Sequence, residues 1–347
     1  MKTIREQLEQ QEEKIFSPWA QRSAKTKGRQ HPLRECDIRP AFQRDRDRIL
    51  HSKPFRRLKH KTQVFLSPTG DHYRTRMTHT LEVGQIARTV GKALRLNEDL
   101  IEAITLGHDL GHTPFGHAGE AALNKLYKPG FKHHVQSLRV VDELANDGKG
   151  LNLTYEVRNG IIKHSKGKGN ILSATQETRA TTLEGQIVRL ADITAYLNHD
   201  VDDAIRAGML RPEEIPSDIL ETLGRTLSTR IERIIKDMIV ETQKAGDGDL
   251  HMTNEVLEAI TKFRAFMFST VYENPLVRDQ LEKAQKILEA LYNYYLEHPE
   301  VLDKEAGTIK KDEPLEVRIC DFISGMTDRY AINKFQEIFL PKEWHVY

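Results

Sequence analysis

The chain has 347 residues, 38% of them apolar and 30% charged, and a formal net charge of +1 at neutral pH; these values are typical of a water-soluble protein that can bury a large core. The two cysteines lie far apart, the first segment, MKTIREQLEQQEEK, is charged, and no apolar run approaches the ~18 residues of a membrane span. We therefore expect a cytoplasmic protein without a disulfide framework, a secretory signal or a membrane partner.

The first quarter of the chain predicts helices separated by loops. Residues 1–16 form a polar helical pattern, and 17–32 form a loop interrupted by prolines and a glycine. From 42 to 65 the apolar residues fall at near-helical spacing, which predicts helices. A second loop is expected at 66–75, where a proline and a Gly-Asp pair favour a turn.

Two amphipathic helices should follow. The first is THTLEVGQIARTVGKALRL, and its expected buried stripe consists of Leu81, Val83, Ile86, Val90 and Leu94. Asn97 is a candidate N-cap for the next helix, EDLIEAITLGHD, and Gly111 can end that helix.

The remaining chain is also mostly helical in pattern. Helices are predicted in HHVQSLRVVDELAN, in LEGQIVRLADITAYLNHDVDDAIRAG and repeatedly after Pro216, whereas GLNLTYEVRNGIIKHS can form a helix or a short strand. Because strand-like segments are scarce, we predict an all-α fold. We divide it into an N-terminal arm (1–34), a core (35–215) and a C-terminal helical region packed on the core (216–347).

Histidines and acids occur at the ends and on the faces of these helices. Seven of the 15 histidines lie between residues 72 and 134, more than packing explains. His79 starts one amphipathic helix, and His108 and Asp109 end the next, so antiparallel packing would bring these ends together. Asp192 interrupts an apolar run, and it needs a cation or a donor because a buried, unpaired carboxylate is costly. Two imidazoles and two carboxylates predict a site for a divalent metal ion.

The residues after Asp109 predict a second function. His112, His117 and Glu120 are too many for an ion that already has four protein ligands. His117 and Glu120 are three residues apart at the start of a helix and share a face, where the carboxylate can orient the imidazole and raise its basicity. This arrangement suits a general acid or base beside a metal-bound substrate.

Other polar residues are candidates for substrate binding. Arg76 lies three residues before the first candidate ligand and offers a bidentate fork for phosphate oxygens. Tyr196 and Asp200 follow Asp192 by four and eight residues, so they lie on its helix face. His133 is expected in a turn before another helix, within reach of the site.

The motifs resemble those of the HD-domain deoxynucleotide triphosphohydrolases, specifically the bacterial dGTPase-like branch. The resemblance covers roughly residues 35–205 and is carried by RDRDRILHSKPFRRLKHKTQVF, GDHYRTRMTHTLEV, GHDLGHTPFGHAGE, HHVQSLRVVDEL and RLADITAYLNHD. It implies an HD-domain helical fold with additional N- and C-terminal helices. The implied metal ligands are His79, His108, Asp109 and Asp192. The implied cofactor is a divalent ion, Mg²⁺ or Mn²⁺, with iron, nickel, cobalt and zinc as alternatives.

The resemblance also implies roles around the reacting phosphate. His117 and Glu120 match the family's catalytic pair. His112 belongs to the same catalytic group and, with His133 and Arg76, contacts the triphosphate. One departure from the family pattern is the pair that follows His133, which is His-Val here and Asn-Glu in the family.

Tyr196 and Asp200 match positions that hold the deoxyribose, where the ring excludes a 2′-hydroxyl and the carboxylate accepts from the 3′-hydroxyl. The implied reaction converts a dNTP and water to a deoxynucleoside and inorganic triphosphate, by attack at the α-phosphorus.

The basic segment 34–61 predicts a polyanionic partner. Between Arg22 and Lys61 there are 14 Lys or Arg against 4 Asp or Glu. Interleaved apolar residues, such as Phe55 and Leu58, should anchor the segment to a core. The resemblance implies a homo-oligomer, a tetramer or a hexamer, and two partners for the segment, a regulatory nucleotide at subunit contacts and single-stranded DNA. The candidate contacts are Arg44, Arg46, Arg48, Arg56, Arg57 and Lys59.

Two alternatives remain open. The first is another HD-type nucleotide phosphohydrolase, acting on 5′-nucleotides, cyclic dinucleotides or (p)ppGpp. A two-metal cyclic-dinucleotide enzyme would need extra histidine ligands in an HDxGK context, and this chain has HDLGH instead. The second is a nucleotide-regulated nucleic-acid-binding protein or sensor without catalysis. The intact ligand set together with His117 and Glu120 argues against it.

Overall fold

The computed structural model describes residues 2–63, 74–165, 171–172, 175, 177–307 and 310–342. Within these ranges the chain is helical and has no strand, and isolated β-bridges join Arg29 to Thr154 and Thr62 to Thr75. The predicted all-α class is confirmed. No helix in this part of the chain is long and apolar enough to cross a membrane.

The N-terminal helices are short. They are α1 (Ile4–Ile15), α2 (Ala41–Leu50) and α3 (Lys53–Arg57), and a 3-10 turn at Leu58–His60 continues α3. Thr3 and Glu6 form a capping box that satisfies main-chain N–H groups at the start of α1. Phe55 and Leu58 are buried, as predicted, and anchor the basic segment to the core.

The central helices carry the predicted site. They are α4 (Arg76–Ala93), α5 (Glu98–Gly107), α6 (Gly116–Leu126), α7 (His133–Arg139), α8 (Ala145–Gly148), α9 (Tyr155–Lys163) and α10 (Leu183–Arg206). A π-helical turn at Val140–Leu144 joins α7 to α8, a single turn in which Asn146 and Asp147 are left-handed. The segment GLNLTYEVRNGIIKHS, for which the sequence allowed either a helix or a strand, contains the helix α9. Helix α10 packs on α4, α5 and α9.

The C-terminal helices are α11 (Ser217–Leu223), α12 (Leu227–Ala245), α13 (Asn254–Met267), α14 (Pro275–Glu297), α15 (Pro299–Ala306), α16 (Leu315–Ser324) and α17 (Asp328–Phe339). The buried apolar residues of the described chain form two clusters. The larger runs from Ala20 to Val271 and includes α4, α5, α9 and α10, whereas the smaller packs α6 and α16 against α14. The larger cluster crosses both proposed segment borders, and the three-part division stays a prediction.

Three local expectations need adjustment. Asn97 caps α5 as predicted, accepting from the N–H of Leu100, but α5 ends at Gly107 and not at Gly111. His133 is the first residue of α7 and does not lie in a turn before it. Leu81 was wrongly included in the buried stripe of α4, since it is 57% exposed. Residues two apart on a helix lie about 200° apart, so Leu81 and Val83 face opposite ways.

Candidate active site

Three helices bring the predicted metal ligands together. His79 lies in the first turn of α4, and His108 and Asp109 directly follow α5; Asp192 lies in α10, which packs on both helices. The start of α4 meets the end of α5, as antiparallel packing predicts. One ligand atom each from His79, His108 and Asp109 lies within 4.8 Å of the others, and all three side chains are buried.

The hydrogen bonds of the two histidines direct acceptor atoms into this cluster. Nδ1 of His108 donates to the Thr105 carbonyl at 2.6 Å, so Nε2 carries the lone pair, and Nε2 has no hydrogen-bond partner in the described chain. Nε2 of His79 lies 3.2 Å from Oδ1 of Asp192 and 3.8 Å from Oδ2 of Asp109. A divalent cation fits this set, because imidazole nitrogens and carboxylate oxygens together suit borderline and hard metal ions.

Arg76 supplies positive charge beside the cluster. Its Nη1 donates to Oδ2 of Asp109 at 2.7 Å, and both side chains are buried. Burial alone would raise the pKa of Asp109, but the adjacent His108 imidazole and the charge of Arg76 outweigh it and hold the pKa well below its usual value. Asp109 is therefore ionised, and Arg76, which was predicted to contact phosphate, contacts a candidate metal ligand.

Glu120 holds two imidazoles. Its carboxylate accepts from Nδ1 of His117 at 3.2 Å, from Nδ1 of His133 at 2.9 Å and from the His133 main-chain N–H at 2.9 Å. Burial would raise the pKa of Glu120, but the hydrogen bonds from His117 and His133 bring it below its ordinary value. The structure therefore brings the predicted pair together and adds His133. The side chain of His117 is 77% exposed, which leaves it accessible to a substrate.

His112 lies between the two groups. Its ring stacks on that of His133, with centroids 4.1 Å apart, and its Nε2 is 3.5 Å from Oδ1 of Asp109. Burial, followed by the charge of Arg76, lowers the pKa of the His112 imidazole well below its ordinary value. The histidines predicted to contact substrate therefore lie directly beside the candidate metal ligands.

The loop between the two groups is held from the far end of the chain. Phe115 has a left-handed φ of 62° immediately before α6. Asp328, the first residue of α17, accepts from the main-chain N–H of Phe115 at 2.9 Å. Lys61 donates to the carbonyls of His112 and Ser324, and burial lowers the pKa of Lys61 to about 7. The C-terminal region thus shapes the site directly.

Two histidines at the site were missed in the sequence. Nε2 of His164, just after α9, lies 3.3 Å from Nε2 of His133. Nε2 of His199, in α10, lies 2.8 Å from Nδ1 of His79. A signal existed for His199, because it follows Asp192 by seven residues, which is about two helical turns. We find no local pattern that marks His164.

The predicted sugar-binding residues have partners within the protein. Oδ1 of Asp200 lies 2.7 Å from Nδ1 of His199, and Oδ2 accepts from the hydroxyl of Tyr272, which the sequence did not single out. Tyr196 is partly buried against the larger core cluster, and burial raises the pKa of its hydroxyl above the ordinary value. The sugar-binding role of both residues stays a prediction.

The departure from the family pattern lies beside His133. The ring of His134 is 5.5 Å from that of His133, and burial lowers the pKa of His134 to about 4. Val135 is half exposed. In this chain the carboxylate that contacts the His133 imidazole comes from Glu120.

Much of the basic segment is paired within the chain. Arg46 forms ion pairs with Asp99 at 2.6 Å and Glu102 at 3.4 Å, and Arg44 and Arg48 donate to main-chain carbonyls. Arg56 also donates to the His51 carbonyl, so four of the six predicted contact residues already have intramolecular partners. Binding of a regulatory nucleotide or of single-stranded DNA stays a prediction, as does the tetramer or hexamer.

Comparison with known protein families agrees with this geometry. Residues 76–197 match the HD domain, and residues 250–337 match the phosphohydrolase-associated domain. The first match spans all four candidate metal ligands, and the second includes Asp328. The chain is therefore an HD-domain phosphohydrolase.

Relatives extend this likeness over nearly the whole chain. Proteins named deoxyguanosinetriphosphate triphosphohydrolase-like protein are similar to it in several bacteria. The one from Caldanaerobacter subterraneus subsp. tengcongensis is 51% identical over 98% of this chain and 97% of its own length. The one from Clostridium tetani is 45% identical over 98% of this chain and 97% of its own length. The one from Geobacter sulfurreducens is 38% identical over 94% of this chain and 95% of its own length. The chain belongs to the family of deoxyguanosinetriphosphate triphosphohydrolase-like proteins.

Proposed function

We propose that the protein hydrolyses deoxynucleoside triphosphates, dGTP or other dNTPs, to a deoxynucleoside and inorganic triphosphate in a metal-dependent reaction. The name shared by its relatives supports this substrate class. The observation that carries the proposal is the position of Glu120, which holds His117 and His133 beside a buried cluster of potential metal ligands. A group that can handle a proton thus lies next to a site that fits a cation.

The proposed metal ligands are His79, His108, Asp109 and Asp192. A bound divalent ion would supply positive charge that polarises a phosphate oxygen. Mg²⁺ and Mn²⁺ suit the two carboxylates, and iron, nickel, cobalt and zinc also accept imidazole ligands.

His117 is the proposed proton carrier. Because its Nδ1 donates to Glu120, its Nε2 is the atom that can exchange a proton with the substrate. The oxygen of water bonds to the α-phosphorus, the bond from phosphorus to the 5′ oxygen breaks, and His117 delivers a proton to that oxygen. The proton lost by the water balances the one that His117 gives up, and the triphosphate leaves whole.

The remaining residues are proposed to bind the substrate. His112 and His133 would contact the triphosphate near the bond that breaks, where they stabilise the charge on its oxygens. Arg76 has Nη1 on Asp109, but its Nε has no hydrogen-bond partner in the described chain and remains to donate to phosphate. Tyr196 and Asp200 are proposed to hold the deoxyribose.

The test is to incubate the purified protein with Mn²⁺ and each dNTP, singly and mixed, in ¹⁸O-labelled water and to separate the products. We expect a deoxynucleoside without label and triphosphate carrying one labelled oxygen. Deoxynucleoside monophosphate with pyrophosphate would contradict the proposal and indicate another type of nucleotide hydrolase. Bound metal without turnover of any dNTP mixture would contradict it and favour a nucleotide sensor.

A further inference from the structure

Two histidine rings face each other beside the candidate metal ligands. Nε2 of His133 and Nε2 of His164 are 3.3 Å apart, and both side chains are buried. Nδ1 of His133 donates to Glu120 at 2.9 Å, and Nδ1 of His164 donates to the Ile161 carbonyl at 2.7 Å. Because a carboxylate and a carbonyl only accept, each Nδ1 carries a proton, and each neutral ring presents the lone pair of Nε2 to the other.

Two lone pairs at this distance repel each other unless a cation, either a proton or a metal ion, binds between them. Two nitrogens bound at ~2.0–2.1 Å to a tetrahedral zinc ion lie about 3.3–3.4 Å apart. The two Nε2 atoms of His133 and His164 have this separation. A carboxylate or a carbonyl behind the far nitrogen is also the usual support of a metal-binding histidine. The spacing and the orientation of this pair therefore suit a metal ion.

Asp109 and His112 bring further ligand atoms to the pair. One atom each from Asp109, His112 and His133 lies within 4.8 Å of the others, and all three side chains are buried. Oδ1 of Asp109 is 3.5 Å from Nε2 of His112, whereas Oδ2 is 3.8 Å from Nε2 of His79. Nδ1 of His112 is buried without a hydrogen-bond partner in the described chain, a state that calls for an ion or a water.

The departure from the family pattern adds another imidazole here. His134 stands where the family has asparagine, and its ring lies 5.5 Å from that of His133 and 6.3 Å from that of His164. Its Nδ1 is also buried without a hydrogen-bond partner in the described part of the chain. The group therefore contains more imidazoles than the proposed triphosphate contacts, His112 and His133, require.

We propose that Asp109, His112, His133 and His164 bind a second metal ion, of the imidazole-binding class that includes Zn²⁺ and Ni²⁺. Asp109 would be shared with the ion that His79, His108 and Asp192 are proposed to bind. The inference deepens the proposed function and rests on it for its catalytic meaning. The charge of the triphosphate would then be met by an ion held between His112 and His133.

The test counts the zinc bound by metal-free protein after dialysis against Zn²⁺ without nucleotide. We expect the wild-type protein to bind two ions per chain. His133→Ala and His164→Ala should each bind one, because each removes a ligand of the second site alone. Asp192→Ala should also bind one, because Asp192 belongs only to the first site, and the double variant His133→Ala/Asp192→Ala should bind none.

His251→Ala is the matched control. His251 is an exposed histidine paired with Asp247, so its loss reports any zinc held adventitiously at the surface. This variant should still bind two ions per chain. Circular dichroism checks that each variant is folded.

X-ray absorption at the zinc edge tests the wild-type protein without any substitution. Two ions that share Asp109 should give zinc–zinc scattering at about 3.5–4 Å, the usual separation in two-metal sites. This measurement decides if the histidine variants do not fold.

A single zinc ion in the wild-type protein, lost in Asp192→Ala, would overturn the inference and leave the proposed function intact; the facing nitrogens of His133 and His164 would then share only a proton. A second ion that persists in folded His133→Ala and His164→Ala would also overturn it. Two ions bound as expected by a protein that hydrolyses no dNTP would support the second site and contradict only the proposed function.

Discussion

The carboxylate of Asp328 accepts a hydrogen bond from the main-chain N–H of Phe115 at 2.9 Å, although the two residues are 213 positions apart in the chain. The same carboxylate accepts from the main-chain N–H and the hydroxyl of Thr62. The loop between the candidate metal ligands and the His117–Glu120 pair is therefore fixed by a residue of the phosphohydrolase-associated domain.

Asp328→Ala should reduce both stability and turnover. It leaves two buried main-chain N–H groups without their acceptor, at about 1–3 kcal/mol each in free energy of unfolding. Because His108 and Asp109 lie at the end of α5, before this loop, metal content should persist while kcat falls more than KM rises. Urea unfolding measures the loss of stability, metal analysis measures the metal content, and steady-state kinetics measure kcat and KM. Asp218→Ala is the control, since Asp218 is an exposed acid in the first turn of α11. Equal effects of the two substitutions would contradict a special role for Asp328.

His117→Ala and Asp109→Ala should give different losses. Removing the proposed proton carrier should lower kcat by ~100- to 10,000-fold, the usual contribution of general acid–base catalysis, and leave metal content unchanged. Asp109→Ala should lose both metal and turnover, since Asp109 belongs to the buried ligand cluster. A matched control is His251→Ala, which removes an exposed histidine paired with Asp247 and should retain full activity. Full activity of His117→Ala would show that the proton role is wrong.

Gly111→Ala should be destabilising. A Cβ at this position would lie 2.1 Å from the main-chain nitrogen of Ser137 and 2.6 Å from the carbonyl oxygen of His133, so α7 would have to shift. Overpacking of this kind typically costs about 1–3 kcal/mol, and the shift would also displace His133. Gly84→Ala is the comparison, because its Cβ meets only the Thr105 methyl at an ordinary 3.4 Å. Because residue 84 lies in the interior of α4, Gly84→Ala should leave the free energy of unfolding unchanged or raise it by up to about 1 kcal/mol. Thermal unfolding distinguishes the two, and equal melting temperatures would contradict this prediction.

Glu184 should make stability depend on pH. Burial raises its pKa from an ordinary 4.5 to about 7, although its carboxylate accepts from the main-chain N–H groups of Gln21 and Asn97. The folded protein therefore binds the proton more tightly than the unfolded chain. This contribution to stability is fully present below pH 4.5 and is lost as pH rises through 7, about 3 kcal/mol in all.

The measurement compares urea unfolding of the wild-type protein and Glu184→Gln between pH 4.5 and 8. The free energy of unfolding of the wild type should fall relative to the variant as pH rises. A difference that stays constant over this range would show that Glu184 does not titrate as described.

The clustering of the candidate metal ligands could be predicted from the sequence because each of them has a local signature. His79 and His108 lie at the ends of amphipathic helices, and Asp192 interrupts an apolar run, so helical periodicity and antiparallel packing suffice to place them together. The contact between His117 and Glu120 follows in the same way, from three-residue spacing at a helix start, and their catalytic role stays a prediction.

The residues that contact the site from distant parts of the chain could not be predicted in this way. Lys61 lies in a segment with 14 basic residues, and local composition does not reveal which ammonium is turned inward to main-chain carbonyls. Asp328 acts through a contact across 213 positions, for which no spacing rule exists. His199 did have the right spacing, but its contact with Nδ1 of His79 is seen only in the structure.

The hydrogen bond from Phe115 to Asp328 also sets an order of events during protein synthesis. The HDLGH segment leaves the ribosome long before α17 has been made, and chains begin to fold from the N-terminus as they emerge. Until Asp328 arrives, Phe115 lacks the acceptor that fixes its left-handed turn. A nascent chain therefore contains every proposed metal ligand and the proposed proton carrier before α17 is made, yet its loop gains the Asp328 acceptor only after that helix has emerged.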